Sequence, residues 1–445
     1  MSAPAGYAGT RQAAARTSAP RSRRPMLLLE TATFMSGVGN GIASVALPWL
    51  ILERTGSAAA AGVVAAATAL PLLFTALLSG TVIDLVGRRR TAIASDLLSA
   101  LSVLAIPLVD SLGGLTVATL AGLAVLGAVF DPAGAAARES MLPETAQRAG
   151  WTLDRANGVH ETLFGLSFLI GPGVGGLLIA TVGASGALIG TGIGFLVAAG
   201  CVALLRGLPG SGRPDHAERP DGIWRGTREG LSFVLHEPLL RPLAILIMLV
   251  VALYYPVEGV ILPVYFQEIG SPGQLGVVLM AMSAGMVVGT LAYEPLVRRF
   301  TKRWLFVGSM LGSILALLGM AFLPPFGWLL VAAALTGMLW GPVQPLLNHA
   351  MQTRTPDRLR GRVNGTIASA SMAAGPLGFL VVGGLVEALG PRDAFLTFAV
   401  GLVAVAVAMS PLKAWRLLDA EPVEGSAAAG HSPAPAATAD APGAR

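Results

Sequence analysis

Five acidic residues lie inside long apolar stretches of the sequence, where ionisable side chains are rare: Glu30, Asp96, Asp131, Glu161 and Glu258. A carboxyl group surrounded by hydrocarbon is costly to ionise, so such groups usually serve the binding of a proton, an ion or a ligand. Asp131 and Glu258 lie farthest from the ends of their stretches. We therefore take them as the first candidates for a group that binds and releases a proton, followed by Glu30 and Asp96.

Structural roles are the alternative for each of these acids. Glu30 and Asp96 lie within two helical turns of a stretch end, where an interfacial or helix-capping acid is equally plausible. Few other residues could form a reactive or metal-binding site. The single cysteine, Cys201, excludes disulfides within the chain, and the five histidines form no pair at helical spacing. We expect no cofactor, no metal site and no nucleotide-binding motif.

Long apolar segments position these acids. Hydrophobic residues make up 54% of the chain and charged residues 12%, whereas a soluble domain carries about a quarter charged residues. A membrane-spanning helix needs about 20 mostly apolar residues. Lipid offers no partners to open backbone groups, so the segments are expected to be helices and the fold all-α. Twelve segments qualify, near residues 26–53, 58–83, 91–110, 114–137, 156–182, 184–206, 239–266, 271–296, 303–325, 327–350, 362–389 and 392–413.

Basic residues indicate which side of the membrane each gap faces. All but two of the 30 Lys and Arg residues, Arg54 and Arg392, are assigned to the termini or to alternate gaps. Positive charge resists translocation, so these gaps and both termini are predicted to be cytoplasmic, in a multi-pass protein of the inner cell membrane. Arg138 is assigned to one such gap, 138–155, at the end of the fourth helix. Anionic lipid headgroups, not nucleic acid, are the expected partners of these charges.

The two halves of the sequence repeat each other. Residues 80–84, followed by two arginines, correspond to residues 289–293, also followed by two arginines. Two repeated six-helix bundles around a central cavity are a transporter architecture. We predict pseudo-symmetric bundles at 26–206 and 239–413, a cytoplasmic linker at 207–238 with an amphipathic stretch from Trp224 to Leu240, and disordered cytoplasmic tails at 1–25 and 414–445.

The gap between the second and third segments has the pattern Gly80-x-x-x-Asp84-x-x-Gly87-Arg88-Arg89. With this spacing the chain resembles the major facilitator superfamily. The resemblance implies the twelve-helix fold and a cluster that latches the two halves in the outward-facing state, with Asp84 and Arg88 at its key positions. The arginines are expected to bind headgroups or a carboxylate such as Glu139. A basic turn that only fixes topology is the alternative.

The fifth segment is rich in glycine and resembles the antiporter motif of drug-exporting members of that superfamily. Proline kinks a helix and glycine opens a smooth face for a neighbour. We expect this face to meet Gly285 and Gly289 in the eighth helix, with Ser167 replacing one glycine of the pattern. The alternative is a glycine-rich helix without a special role. The motif residues are Gly158, Gly171, Pro172, Gly175 and Gly176.

Further stretches resemble the Tap-type multidrug efflux pumps, which export tetracyclines and aminoglycosides. They are residues 130–134, 140–144, 149–151, 360–363 and 375–378. This resemblance implies a proton-driven exporter whose partners are small-molecule drugs and protons, and which we expect to be a monomer. The superfamily's mid-membrane arginine in the fourth helix is expected to be missing, because Arg138 is placed at the helix end.

Amide and phenol groups in the apolar segments are candidates to line a drug cavity, because they orient a ligand while apolar neighbours supply contact area. They are Asn40, Tyr254, Tyr255, Gln344 and Asn348. Each could instead tie helices together. The predicted function is a secondary active exporter working by proton antiport, and not an enzyme. Export of an endogenous metabolite, nutrient uptake on the same fold, a membrane enzyme and a non-transporting sensor are the alternatives.

Overall fold

The protein is described from a computed structural model, which describes residues 22–205, 223–356 and 359–420. Five helices form its first half: α1 (Arg24–Thr55), α2 (Ala58–Val86), α3 (Arg88–Ser111), α4 (Val117–Ala149) and α5 (Leu153–Leu204). A shorter helix, α6 (Ile223–His236), leads into the second half.

The second half begins with one interrupted helix. It consists of α7 (Leu240–Pro256), a π-helical turn (Val257–Ile261) and α8 (Leu262–Glu268). There follow α9 (Pro272–Leu291), α10 (Tyr293–Arg299), α11 (Lys302–Ala321), α12 (Phe326–Trp340), α13 (Val343–Arg354), α14 (Arg360–Met409) and a 3₁₀ turn (Lys413–Leu418).

The described residues contain nine helices that are long and apolar enough to cross a bilayer. Two of them, α5 with 52 residues and α14 with 50, are interrupted at Gly183 (φ 77°) and Gly390 (φ 81°), torsions that favour glycine. A Cβ added at Gly190 would lie 3.3 Å from Leu178 Cδ1, so the two arms of α5 run back beside each other. The all-α membrane fold is thus confirmed, and the count of twelve crossings stays a prediction.

Helix ends define two faces of the bundle. Ser22 N donates to Arg148 O at 2.9 Å, so α1 begins beside the end of α4. We call this end, where α3 also begins, the basic face. At the other end, which we call the opposite face, Arg54 near the end of α1 forms a two-pronged ion pair with Asp110 near the end of α3, at 2.8 Å for both contacts.

The structure corrects two sequence expectations near the basic face. Helix α4 runs to Ala149, twelve residues beyond its predicted end, so Arg138 lies inside the helix and not in a basic gap. The chain after 414 is not wholly disordered, because Trp415 is fully buried and its indole Nε1 donates to Met409 O at 2.6 Å. Residues 421–445, like 1–21, lie outside the described residues.

The predicted linker contains a helix where the amphipathic stretch was expected. Helix α6 is tied to the start of α14 by an ion pair between Glu229 and Arg362, and Gly230 lies against the carbonyl group of Arg362. Residues 206–222 lie outside the described part of the chain.

Candidate functional site

Two helix crossings bring the halves together. In the first, α5 meets α9, and a Cβ added at Gly176 would lie 2.6 Å from Pro272 O and 3.1 Å from Gly276 Cα. In the second, α2 meets α14, and a Cβ at Gly383 would lie 2.8 Å from Ala59 Cα. These distances leave no room for a side chain, so glycine lets the helix backbones touch.

Hydrogen bonds join the halves at the opposite face. Ser57, which caps the N-terminus of α2, donates its hydroxyl to Glu387 Oε1 of α14 at 2.5 Å. The same carboxylate oxygen accepts from Ala59 N at 3.1 Å. Gln267 Nε2 of α8 donates to Trp49 O of α1 at 3.4 Å. A carboxylate of the second half thus completes the capping of a first-half helix, where unpaired N–H groups and the helix dipole favour an anion. We call these contacts and the two glycine crossings the seal.

A cavity of about 620 Å³ lies between the halves. The first half contributes Ser44, Phe168 and Pro172, and the second half contributes most of the wall. The rings of Phe164 and Phe168 lie 5.0 Å apart and are 43% and 46% exposed, so the open face of α5 continues toward the basic face. Glu161, which is also exposed, lies one turn farther along that face. Phe168 lines the cavity, whereas Phe164 and Glu161 continue the exposed face of α5 toward the basic face beyond the described lining.

Glu258 is the charged group among the described residues that line this cavity. It lies in the π-helical turn, a rare form that is frequently found at functional sites. Tyr254 Oη donates to Glu258 Oε1 at 2.6 Å. The turn packs against α1 and α2 of the first half and against α14 of the second. The turn that carries this carboxylate therefore lies where the halves meet.

Of the five predicted cavity residues, Tyr254 and two more lie in the wall, and Asn40 and Asn348 do not. Tyr255 and Gln344 both line the cavity, and the rings of Tyr254 and Tyr255 lie 6.2 Å apart. Asn348 is exposed on α13, one turn beyond Gln344, and is not among the lining residues.

Asp131 lies beside the cavity in the first half. Asn40 Nδ2 donates to Asp131 Oδ2 at 3.0 Å, which joins α1 to α4. Asn40 precedes the cavity-lining Ser44 by one helical turn, so the pair continues the same face of α1 toward the basic face. Neither residue lines the described cavity, and both are half-buried.

Arg138 overturns the expectation that the fourth helix lacks a buried arginine. Its Nη1 contacts both oxygens of Asp96, at 2.8 and 3.0 Å, and its Nη2 donates to Ser36 Oγ at 3.1 Å. Arg138 is 4% exposed and Asp96 1%. Asp96 is therefore neither an interfacial nor a capping acid but half of a buried ion pair. Because Asp96 compensates the charge of Arg138 inside the bundle, Arg138 can lie within α4 and the helix can continue past it.

Glu30 is also paired within the first half. His160 Nδ1 of α5 lies 3.2 Å from each carboxylate oxygen of Glu30. Glu30 is buried, and neither residue lines the described cavity.

A family model described as Major Facilitator Superfamily matches residues 29–378 and 257–440 of the chain. The chain belongs to the major facilitator superfamily.

Two relatives show which members of the superfamily the chain resembles. The chain is 44% identical over 400 residues to the multidrug efflux pump Tap of Mycolicibacterium fortuitum, covering 89% of this chain and 98% of that protein. It is 44% identical over 404 residues to the multidrug efflux pump Tap of Mycobacterium tuberculosis, covering 90% of this chain and 96% of that protein. It is thus Tap-like, as the sequence motifs predicted.

The fold also matches a solved transporter. A mutant of the nucleoside transporter NupG superposes with a TM-score of 0.72 at 14% identity, covering 86% of this chain and 98% of that chain. At this identity the likeness concerns the fold alone.

The superfamily's signature loop is only partly described. Arg88 pairs with Glu144 at 3.1 Å and not with Glu139, which corrects the expected partner. Arg89 donates to the carbonyl groups of Val202 and Ala203 at 3.2 and 2.5 Å, and so ties α3 to the end of α5. Gly87 forms the junction between α2 and α3. Gly80 and Asp84 lie on α2, and their surroundings are outside the described residues.

The antiporter motif of α5 faces two different helices. A Cβ at Gly171 would lie 2.7 Å from Gly41 Cα, and one at Gly175 would lie 3.1 Å from Ile42 Cα, so both pack on α1. Gly176 packs on α9, while Gly158 has no atom within 4 Å of an added Cβ. Ser167 fits against α1, where it meets Gly37.

The prediction that Gly285 and Gly289 contact α5 is wrong. Both glycines lie in the eighth predicted segment, which is α9 in the structure. Gly285 and Gly289 pack against Ala334 and Met338 of α12, within the second half, and Gly276 is the glycine that meets α5. The sequence did not distinguish these positions, because Gly276, Gly285 and Gly289 all lie on the same helix.

Two structural features of the candidate site were not predicted from the sequence. Glu387 lies at the end of a predicted segment, where an acid looks like an ordinary solvent-facing group. The π-helical turn at Glu258 has no strong sequence signal except the prolines at Pro256 and Pro263 on either side of it.

Proposed function

We propose that this protein exports drug-like small molecules from the cytoplasm by proton antiport, through alternating access of the cavity between its halves. The proposal places the basic face and both termini in the cytoplasm and the protein in the inner membrane. The alternating basic gaps support this orientation. The observation that carries the mechanism is Glu258, an acid in the cavity wall on a turn that touches both halves.

With this orientation the described state faces inward. The seal closes the opposite, external face, while the open face of α5 leads from the cavity to the cytoplasm. Cargo then enters from the cytoplasm and competes with a proton for Glu258. Opening to the outside requires the seal to break, including the contacts of Glu387 with Ser57 and Ala59.

Coupling requires that proton and cargo favour different states of the same equilibrium. Glu258 meets this requirement because a proton neutralises it without filling the cavity, whereas cargo fills the cavity and contacts both walls. The π-helical turn transmits either change directly to α1 and α2.

The other candidate acids have supporting places in this scheme. Asp131 is the second proton-coupling candidate, since its carboxylate is held by one amide beside the cavity. Asp96 is neutralised by Arg138, so we assign it to positioning the first half. Glu30, with His160, lies nearer the basic face and is the candidate for proton exchange with the cytoplasm.

Drugs are the proposed cargo because of the likeness to the Tap pumps. Export of an endogenous metabolite uses the same geometry and is the second candidate. Nutrient uptake would require proton and cargo to move in the same direction, so the relative direction of the two fluxes separates it from both export proposals.

The first test is Glu258→Gln in a host that lacks its own drug pumps. Wild-type cells should extrude a panel of drugs, and a protonophore should abolish extrusion. Glu258→Gln removes the exchangeable proton but keeps the side-chain shape, so extrusion should fall to the level of the empty vector at equal membrane abundance.

A matched control is Glu294→Gln, because Glu294 is a highly exposed acid paired with Arg298 away from the cavity. This control should extrude like the wild type. Wild-type extrusion by the Glu258→Gln cells would remove Glu258 from the mechanism.

A further inference from the structure

We infer that Phe379 of α14 is a positioning residue that links the presence of cargo in the cavity to the protonation of Glu258. The inference deepens the proposed function and rests on it in one respect, namely that cargo occupies this cavity and Glu258 binds the proton. Cargo that touches the ring of Phe379 but not the carboxylate then still displaces the proton.

The ring of Phe379 lies between the cavity and the π-helical turn. Phe379 and Gly259 both line the cavity. A Cβ added at Gly259 would lie 2.9 Å from Cε1 of the ring, so the ring rests on the backbone of the turn itself. Because the packed interior transmits strain, cargo that presses on the ring presses on the peptide next to Glu258.

The backbone of α14 is held on both sides of Phe379. On the side of α7, a Cβ at Gly378 would collide with the carbonyl group of Ala252. On the side of α2, a Cβ at Gly62 would collide with the carbonyl group of Phe379 itself. Glycine at these points lets the helix backbones touch. Cargo therefore displaces the ring of Phe379 more easily than its backbone.

The hydrogen bond from Tyr254 Oη to Glu258 Oε1, at 2.6 Å, gives the direction of the effect. A donor to a carboxylate favours the ionised form over the protonated form. Cargo on the cavity side of the ring holds the ring on the turn and keeps this hydrogen bond formed, and so favours release of the proton. When cargo leaves, the ring and the turn can separate, and the carboxyl group exchanges Tyr254 for a proton.

Other titratable groups do not take over this control. The turn packs against α1, α2, α7, α8 and α14. Among the described residues, these elements present two phenols to Glu258, those of Tyr254 and Tyr255, and no charged side chain. The proton affinity of Glu258 therefore depends on the geometry of the turn and on its hydrogen bond to Tyr254.

The test is the binding of chloramphenicol to the purified full-length protein over a range of pH. This probe has an aromatic ring and no group that titrates near neutral pH, so a dependence of its Kd on pH reports a group of the protein. If binding releases one proton, Kd should rise about tenfold for each pH unit below the point at which Glu258 ionises. We expect this rise in the wild type and its loss in Glu258→Gln.

Two substitutions of matched size then test the contact itself. Phe379→Leu should still bind the probe, but the rise in Kd should fall below about threefold per pH unit, because leucine is shorter than the ring and leaves a gap above Gly259. Gly259→Ala supplies a methyl group 3.9 Å from the position of Phe379 Cδ1, which is as far as leucine reaches. The double variant should therefore regain the pH dependence.

Phe398→Leu is the matched control. Phe398 lies in the same helix, is 4% exposed and is not among the described lining residues. Its loss of packing should lower thermal stability and leave the pH dependence of Kd at the wild-type value. Wild-type pH dependence in Phe379→Leu, no recovery in the double variant, pH-independent binding by the wild type, or no binding of the probe would each overturn the inference.

The outcomes also separate this inference from the proposed function. Proton-driven efflux of drugs, together with a wild-type pH dependence of probe binding in Phe379→Leu, would refute the inference alone. Probe binding whose pH dependence requires Phe379, without proton-driven efflux, would refute the proposed antiport alone.

Discussion

Asp96 and Glu258 are both carboxylates inside apolar helices, yet their partners give them different properties. Asp96 lies against a guanidinium group and is fully compensated, whereas Glu258 has only a phenol and an open cavity. Only the second can exchange its partner for a proton or a ligand without leaving an opposite charge buried and unpaired. The sequence could identify both as unusual, because composition alone reveals an acid in an apolar run. It could not assign their partners, which come from other helices.

The buried pair of Asp96 and Arg138 should behave as one unit. Asp96→Asn leaves the guanidinium uncompensated and should lower the free energy of unfolding by about 3–5 kcal/mol. Combining it with Arg138→Gln removes both charges and should restore much of that loss. Thermal unfolding in detergent would measure this double-mutant cycle, with Asp393→Asn, an exposed acid of α14, as the neutral control. Strictly additive losses would show that the two residues act independently.

Helix α5 shows how one element serves two interfaces. Its glycines alternate between α1, which belongs to the same half, and α9, which belongs to the other. The sequence predicted that the glycine face of α5 meets the eighth segment, and in the structure α5 does pack against that segment, which is α9. It did not predict that Gly276, and not Gly285, contacts Gly176 of α5. Both positions satisfy the same local pattern, and only the point along α9 at which the two helices cross distinguishes them.

The crossing of α5 and α9 should be needed to close the opposite face, which the proposed orientation places outside the cell. In Gly176→Ala the added methyl group would lie 2.6 Å from Pro272 O, so the helices must separate and the seal should open. We expect drug efflux to fall severalfold and the distance between spin labels at Glu53 and Ala388, in a Cys201→Ala background, to shift toward longer values.

Gly165→Ala is the matched control for this substitution. Gly165 lies on the same helix, but a Cβ there meets no atom within 4 Å. Its efflux and label distance should match those of the wild type. An unchanged distance in Gly176→Ala would mean that this crossing does not hold the seal.

At the scale of the whole molecule, the sequence repeat and the charge pattern predicted a two-part membrane transporter. The all-helical fold and the superfamily match confirm the class of protein. The state of the molecule could not be predicted, because closure at one face depends on contacts between residues far apart in sequence, such as Ser57 with Glu387. Under the proposed alternating access such contacts form in one state and break in the other, so a local sequence pattern does not report them.

Simultaneous measurement of proton and drug flux in proteoliposomes tests the central claim most directly. A drug gradient imposed across vesicles containing the wild-type protein should drive protons in the opposite direction, as read by an internal pH dye. Vesicles with Glu258→Gln should move no protons. Proton movement in the same direction as the drug, or drug transport by the wild type with no proton movement at all, would contradict the account.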